Sequence, residues 1–204
     1  MKKRYSLLVI GTVIMALGVT LAVKGGYGCD PLSMVWEGLT IRFPISLGIA
    51  NLIVSSIFIV MTLFVDKKQI SIGTIINPLV MSISTDLFMQ IIRPFSIEGL
   101  QMMQSILGVF IMAIGVGIYT SSDLGKGAYD AIVFGTAHRF NKKLFFVRSL
   151  FDLLSLVIGL TMNAHFGIAT IMAVLFVGKI IQFSNEFMIK RIFCEVDRIN
   201  MKLD

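Results

Sequence analysis

The sequence predicts an all-α membrane protein: six transmembrane helices in two inverted three-helix repeats, with glycine-rich interruptions. Three observations carry that expectation. First, the 204 residues are 56% hydrophobic and only 15% charged, with a mean hydropathy of +0.87. That is a membrane composition, since a soluble domain of this length needs far more surface charge. Second, six apolar runs each approach the roughly twenty residues that a helix needs to cross hydrocarbon. Third, sliding the chain against itself by 97 positions superimposes Gly11 on Gly108, Gly18 on Gly115, Gly28 on Gly125 and Gly38 on Gly135. Val19 meets Val116, Leu21 meets Ile118 and Val35 meets Ile132 at the same offset. Four glycines at one offset signal an internal duplication.

The first run, Tyr5–Val23, follows Met1-Lys2-Lys3-Arg4 and has the outline of a signal peptide. It belongs to the repeat, however, and a cleaved leader would not be duplicated within the chain. It is therefore expected to stay as the first helix. The others are Ser46–Val65, Ile70–Ile92, Met102–Thr120, Leu144–Met162 and Gly167–Phe183. Repeat 1 spans about 5–92 and repeat 2 about 102–190 of a single membrane domain, with 191–204 as a cytoplasmic tail. Two pieces too short to cross, Pro31–Thr40 and Ala128–His138, follow the first and fourth runs. Asp30 suits an N-cap and Pro31 the first helical turn. Each piece is either a half-helix dipping into the membrane or one lying at its surface.

Positive charge sets the orientation. Lys2, Lys3 and Arg4, then Lys67 and Lys68, then Lys126, Arg139, Lys142 and Lys143, then Lys190, Arg191, Arg198 and Lys202 fall on one side. The other side holds only Lys24, Arg42 and Arg93. Both termini are thus expected in the cytoplasm of a multi-pass protein. Three crossings per repeat is an odd number, so the second repeat starts on the opposite side from the first. Inverted repeats with interrupted helices are common among secondary transporters. On this topology Cys29 and Cys194 lie on opposite sides and cannot pair, and two cysteines make no disulfide framework. The basic residues cluster at segment ends, which speaks against nucleic-acid binding.

Polar side chains in hydrocarbon normally face protein or water. In the third run Thr74, Pro78, Ser82, Asp86 and Gln90 recur every four residues, with Asn77 beside them. In the sixth, Thr170, Val174, Gly178, Gln182 and Glu186 do the same at an offset of 96. Two such faces suit a central pathway, although Ser and Thr serve equally as helix–helix glue. Lys179, deep in the sixth run, needs an acidic partner, a cavity or a ligand anion. Arg148 and Asp152 are four apart and can pair; they occupy the places of Asn51 and Ser55 in the first repeat. The expected substrate or ion contacts are Asp86 and Lys179, then Asn77, Gln182, Arg148 and Asp152. The loops Gly25, Gly26, Gly28, Asp30 and Gly125, Lys126, Gly127 are expected gates. Their glycines permit positive φ, and half-helix N-termini favour anions. Trp36 is expected at the interface, and His138 and His165 in solvent.

Enzyme readings fail on spacing. Gly26-Tyr27-Gly28-Cys29-Asp30 has one residue too many for the Gly-x-Gly-Asp of intramembrane aspartyl proteases, and Asp30 and Asp130 are expected on opposite sides. No cofactor or metal is called for.

Gly28-Cys29-Asp30-Pro31, Trp36-Glu37-Gly38-Leu39, Ser46-Leu47-Gly48 and Ile72-Gly73-Thr74 resemble the bacterial YczE/YyaS/YitT integral membrane family, its YczE branch in particular. The likeness covers nearly the whole chain. In the second half Lys126-Gly127-Ala128 replaces the Asp-Pro step. The resemblance implies a bacterial plasma-membrane protein of a group often labelled transporters, with no established substrate or functional residues. The expected partners are the lipid bilayer and a small-molecule or ion substrate; which substrate, and the oligomeric state, the sequence leaves open. The runner-up is an accessory or substrate-capture membrane subunit without transport of its own.

Overall fold

A computed structural model describes residues 2–200, with side chains from 3 to 190. The order is α1 (Lys2–Gly25), α2 (Pro31–Arg42), α3 (Leu47–Asp66), a 3₁₀ turn (Lys67–Gln69), α4 (Ile72–Ile91), α5 (Glu98–Thr120), α6 (Ala128–Arg139), α7 (Leu144–Thr161) and α8 (Ile168–Asn200). There is no strand among the described residues. Six helices, α1, α3, α4, α5, α7 and α8, are long and apolar enough to cross a bilayer. The outward faces confirm the environment. On α4, Ile75, Leu79, Ile83 and Leu87 repeat every four residues and are all exposed, an apolar stripe that only lipid solvates cheaply. This is an integral membrane protein.

The short helices form where the sequence places them, 12 residues each. Asp30 caps α2 by accepting from the Ser33 N–H at 3.2 Å, with Pro31 in the first turn. α4 begins at Ile72, two residues later than the apolar run suggests, because Ser71 and Thr74 form a reciprocal capping box. α8 continues beyond Phe183 as far as Asn200. The side chains of the expected tail, Cys194 included, lie outside the described residues.

α1 and α5 form the axis of the bundle, and glycine makes that approach possible. A Cβ on Gly18 would lie 2.2 Å from the Met112 nitrogen, and one on Gly11 2.4 Å from that of Tyr119. Gly115 and Gly108 meet Met15 and Ala22 in the same way. Without a hydrophobic force between helices in lipid, such backbone contact and its dispersion energy hold the pair together. α4 packs on α1 and α8 on α5. Asn77 donates to Thr12 at 2.9 Å across the first pair, and Asn185 to Thr120 at 2.9 Å across the second.

The short helices cross over. α2 lies on α7, and α6 lies on α3. The loops before them cross over too. The Ala169 N–H donates to the Tyr27 carbonyl at 3.1 Å, and the Gly73 N–H to the Leu124 carbonyl at 3.0 Å. Gly28 (φ +95) and Gly125 (φ +115) adopt the left-handed backbone that makes these loops close. Trp36 departs from expectation. It is 2% exposed and sits in the core between α1, α3 and α5, because α2 is folded into the bundle rather than laid along its surface.

Candidate functional site

The half-helices create the site. The first turns of α2 and α6 both reach the middle of the bundle, where they bound one cavity of about 570 Å³ together with α1, α3, α4, α5, α7 and α8. Asp30 and Asp130 therefore line the same space. The expectation that they sit on opposite sides is corrected: both loops turn inward, so residues that start from opposite ends of the bundle line one cavity.

Three carboxylates and one guanidinium line this cavity among the described residues: Asp30, Asp130, Asp152 and Arg148. Arg148 Nη1 pairs with Asp130 Oδ1 at 3.1 Å. Tyr119 donates its hydroxyl to Asp130 Oδ2 at 2.8 Å. Tyr129 donates its hydroxyl to Asp152, and Arg148 stands over the Tyr129 ring at 5.8 Å. Arg148 and Asp152 are both in the site, as their spacing on α7 suggests. Arg148, however, binds the acid on α6 rather than the one four residues along its own helix. Asp30 contributes from the other half. Burial pushes its carboxyl above the usual carboxylate range; hydrogen bonding by Ser33 opposes this, and Asp152 adds to it.

The remaining wall is mostly apolar. Met15, Met81, Met112, Leu156 and Val177 face the cavity, with Trp36 among them. Asn77 also lines it, with its amide committed to Thr12. Asn51 and Ser55 line it as well; Asn51 donates to the Pro78 carbonyl at 3.1 Å and accepts from Ser55 at 3.1 Å.

Other expected contacts are elsewhere. Asp86 lies at the far end of α4. It accepts from Ser46 Oγ at 2.6 Å and from the Gly48 N–H at 2.7 Å, so it caps α3. Lys179 is exposed on α8, outside the cavity lining, where its long stem can snorkel. Gln182 is exposed and donates to Glu186 at 2.9 Å. The polar stripe of α8 reaches the cavity only at Val174 and Gly178. Of the loop residues, Asp30 and Gly127 line the cavity. Lys126 donates to Gln69 at 2.9 Å and stands 4.3 Å over Phe134. Gly25 lets α1 approach Ser105, whose hydroxyl accepts from the Tyr27 N–H at 3.1 Å; Gly26 takes φ +73.

Sequence reasoning missed Tyr119, Tyr129 and Asp130 as members of the site. Asp130 was visible as an acid in the first turn of a short helix after a glycine loop, but only the inward fold of α6 brings it to Arg148. His165 was expected in solvent; it is 58% exposed, yet it bonds Glu37 Oε1 through Nδ1 at 2.6 Å and so ties α2 to the loop before α8.

A family model described as a family of unknown function (DUF6198) matches residues 2–186. The chain belongs to that family. An uncharacterised protein of Haemophilus influenzae is 24% identical over 182 residues, covering 89% of this chain and 83% of its own. The uncharacterised protein YyaS of Bacillus subtilis is 21% identical over 175 residues, covering 84% and 87%. The YyaS name agrees with the label suggested by the Gly28–Pro31 motif. No solved structure matches the chain.

Proposed function

We propose that the protein is a secondary transporter or permease for a small solute, working by alternating access between two inverted repeats in a bacterial plasma membrane. Both termini are cytoplasmic on this reading, and the chain sits within the wider YczE/YyaS/YitT group. The observation that carries it is the central cavity. It draws charged side chains from both halves, Asp30 from the first and Asp130, Arg148 and Asp152 from the second.

The reciprocal contacts support the inversion. Gly11 meets Gly115 while Gly18 meets Gly108. Adding 97 to one member of the first pair and subtracting it from the other gives the second pair. A like exchange relates Ala169–Tyr27 to Gly73–Leu124, with the offset of 97 for the loops and of 96 for the third and sixth runs. A two-fold axis in the membrane plane produces that pattern. The glycine loops are the gates: each loop joins a half-helix at the cavity to the start of the other half's third helix, so moving one half moves the other's door.

The test is flux through the purified protein reconstituted alone, with solutes first chosen by thermal-unfolding shifts against a metabolite and ion panel. A ligand that binds only the folded state adds about 2.7 kcal/mol at a hundredfold excess over its dissociation constant. Saturable flux of a hit, lost in Asp152→Asn, is the expected result. A stable partner on gentle purification, with no flux from the protein alone, would sink transport in favour of an accessory subunit.

A further inference from the structure

We propose that the central cavity binds an amphipathic organic cation, a small molecule with one fixed positive charge on an apolar or aromatic body. The inference takes the cavity of the transport reading as its site and names the ligand class.

The charge count decides the sign. Three carboxylates against one guanidinium leave two negative charges in excess. The N-termini of α2 and α6 oppose this, each worth about half an elementary positive charge. About one negative charge therefore remains, so the pull of two half-helix ends on anions is outweighed. The excess is localised as well. Arg148 pairs with Asp130 and also lies within electrostatic reach of Asp152, so one cation is shared by two acids, whereas Asp30 has no cationic partner among the described residues. The hydrogen bonds to Asp30 and Asp152 come from neutral donors, Ser33 and Tyr129. A secluded carboxylate without a cation is costly, and a ligand cation would offset that cost.

The walls decide the body. Met81, Met112 and Val177 offer apolar contact, and the methionines adapt to varied shapes. Among the described residues the acids do not converge into a group of three that could hold a bare metal ion. Independent of the acids, Trp36 lines the cavity at 2% exposure, and its indole N–H has no hydrogen-bond partner among the described residues. Buried donors without partners are rare in folded proteins. An indole beside such a space can offer a cation its ring face and an acceptor its N–H. Access is also suited to an apolar ligand. Among the described residues no packed interface joins α7 to α8, and exposed Leu153 and Val174 lie at that gap on the cavity lining.

The experiment measures equilibrium binding to the detergent-purified full chain with tetraphenylphosphonium, benzyltrimethylammonium and tetraphenylborate. The first and last share size and shape but carry opposite charge, so detergent partition and hydrophobicity cancel between them. Saturable binding of at least one cation is expected, at least tenfold tighter than tetraphenylborate. Asp152→Asn and Asp30→Asn should each weaken it at least tenfold, with Lys179→Met unchanged and thermal unfolding showing that all variants fold. Benzoylcholine, which adds an ester acceptor, should bind the wild type more tightly than benzyltrimethylammonium and lose that advantage in Trp36→Phe. Preference for the borate, absence of binding by both cations, or indifference to both aspartate variants would overturn the cation assignment. Cation binding without flux would leave this inference standing and remove transport. Flux of some other solute without cation binding would do the reverse.

Discussion

The second helices of the two halves, α3 and α7, correspond at an offset of 97 yet are held differently. On α3, Gly48 allows contact with α4 so close that a Cβ would lie 2.3 Å from the Ser82 carbonyl oxygen. Asn51 then donates to Pro78, and α3 and α4 close as a packed pair. On α7 the corresponding positions are Phe145, Arg148 and Asp152. Phe145 is exposed at the cavity, while Arg148 and Asp152 turn to Asp130 and Tyr129 on α6. α7 is therefore tied to its own half-helix rather than to α8, and the cavity stays open between them. A few residues at positions 97 apart thus decide which side of the bundle is shut. On the transport reading, the alternate state exchanges the two arrangements.

The largest expected effect breaks the closed side. Gly48→Leu forces a side chain into the Ser82 backbone and should cost 3 kcal/mol or more, above the roughly 1–3 kcal/mol of ordinary overpacking. Phe145→Leu, at the equivalent exposed position, should change stability by about 0.5 kcal/mol or less. Thermal unfolding in detergent compares them, and equal losses would erase the asymmetry.

Copying the first half into the second comes next. The double variant Arg148→Asn, Asp152→Ser removes the charges that tie α7 to α6. Binding of tetraphenylphosphonium should fall at least tenfold while the fold is kept; unchanged affinity would place the charge-reading elsewhere. A smaller effect is expected at the other end of the comparison. Asn51→Leu leaves the Pro78 carbonyl without its side-chain donor and should cost about 1–3 kcal/mol, with cation affinity changed less than by Asp152→Asn.

The pH dependence sharpens the comparison further. Buried Asp30 holds its proton above the usual carboxylate range, so protons and a ligand cation compete for it. Affinity should rise as pH increases through that raised value, and Asp30→Asn should flatten the profile. The other titratable groups facing the cavity are Tyr119 from α5, Tyr129 and Asp130 from α6, and Arg148 and Asp152 from α7. A profile unaltered by Asp30→Asn would show that Asp30 is not the group that competes with the cation. The smallest effect is at Lys179, where Met should leave both stability and binding at wild-type values.

The apolar runs by themselves determined the six long helices, since length and hydropathy are local properties and lipid rewards them directly. The Asp30–Pro31 cap and the glycine loops likewise determined where the two short helices begin. Arg148 and Asp152 were legible as candidates because charge inside an apolar run is conspicuous. Only the tertiary structure decided their company. Asp86 and Lys179 are as conspicuous in the sequence, but the first caps α3 and the second is exposed on α8. Nothing in a one-dimensional pattern says which way a helix face turns once it is packed. Asp30, Asp130 and Tyr119 meet because α2 and α6 fold inward from opposite ends of the bundle, and that long-range geometry depends on the glycine contact of the antiparallel α1 and α5. Local chemistry fixes elements; the site is fixed by which elements can approach closely enough to share a cavity.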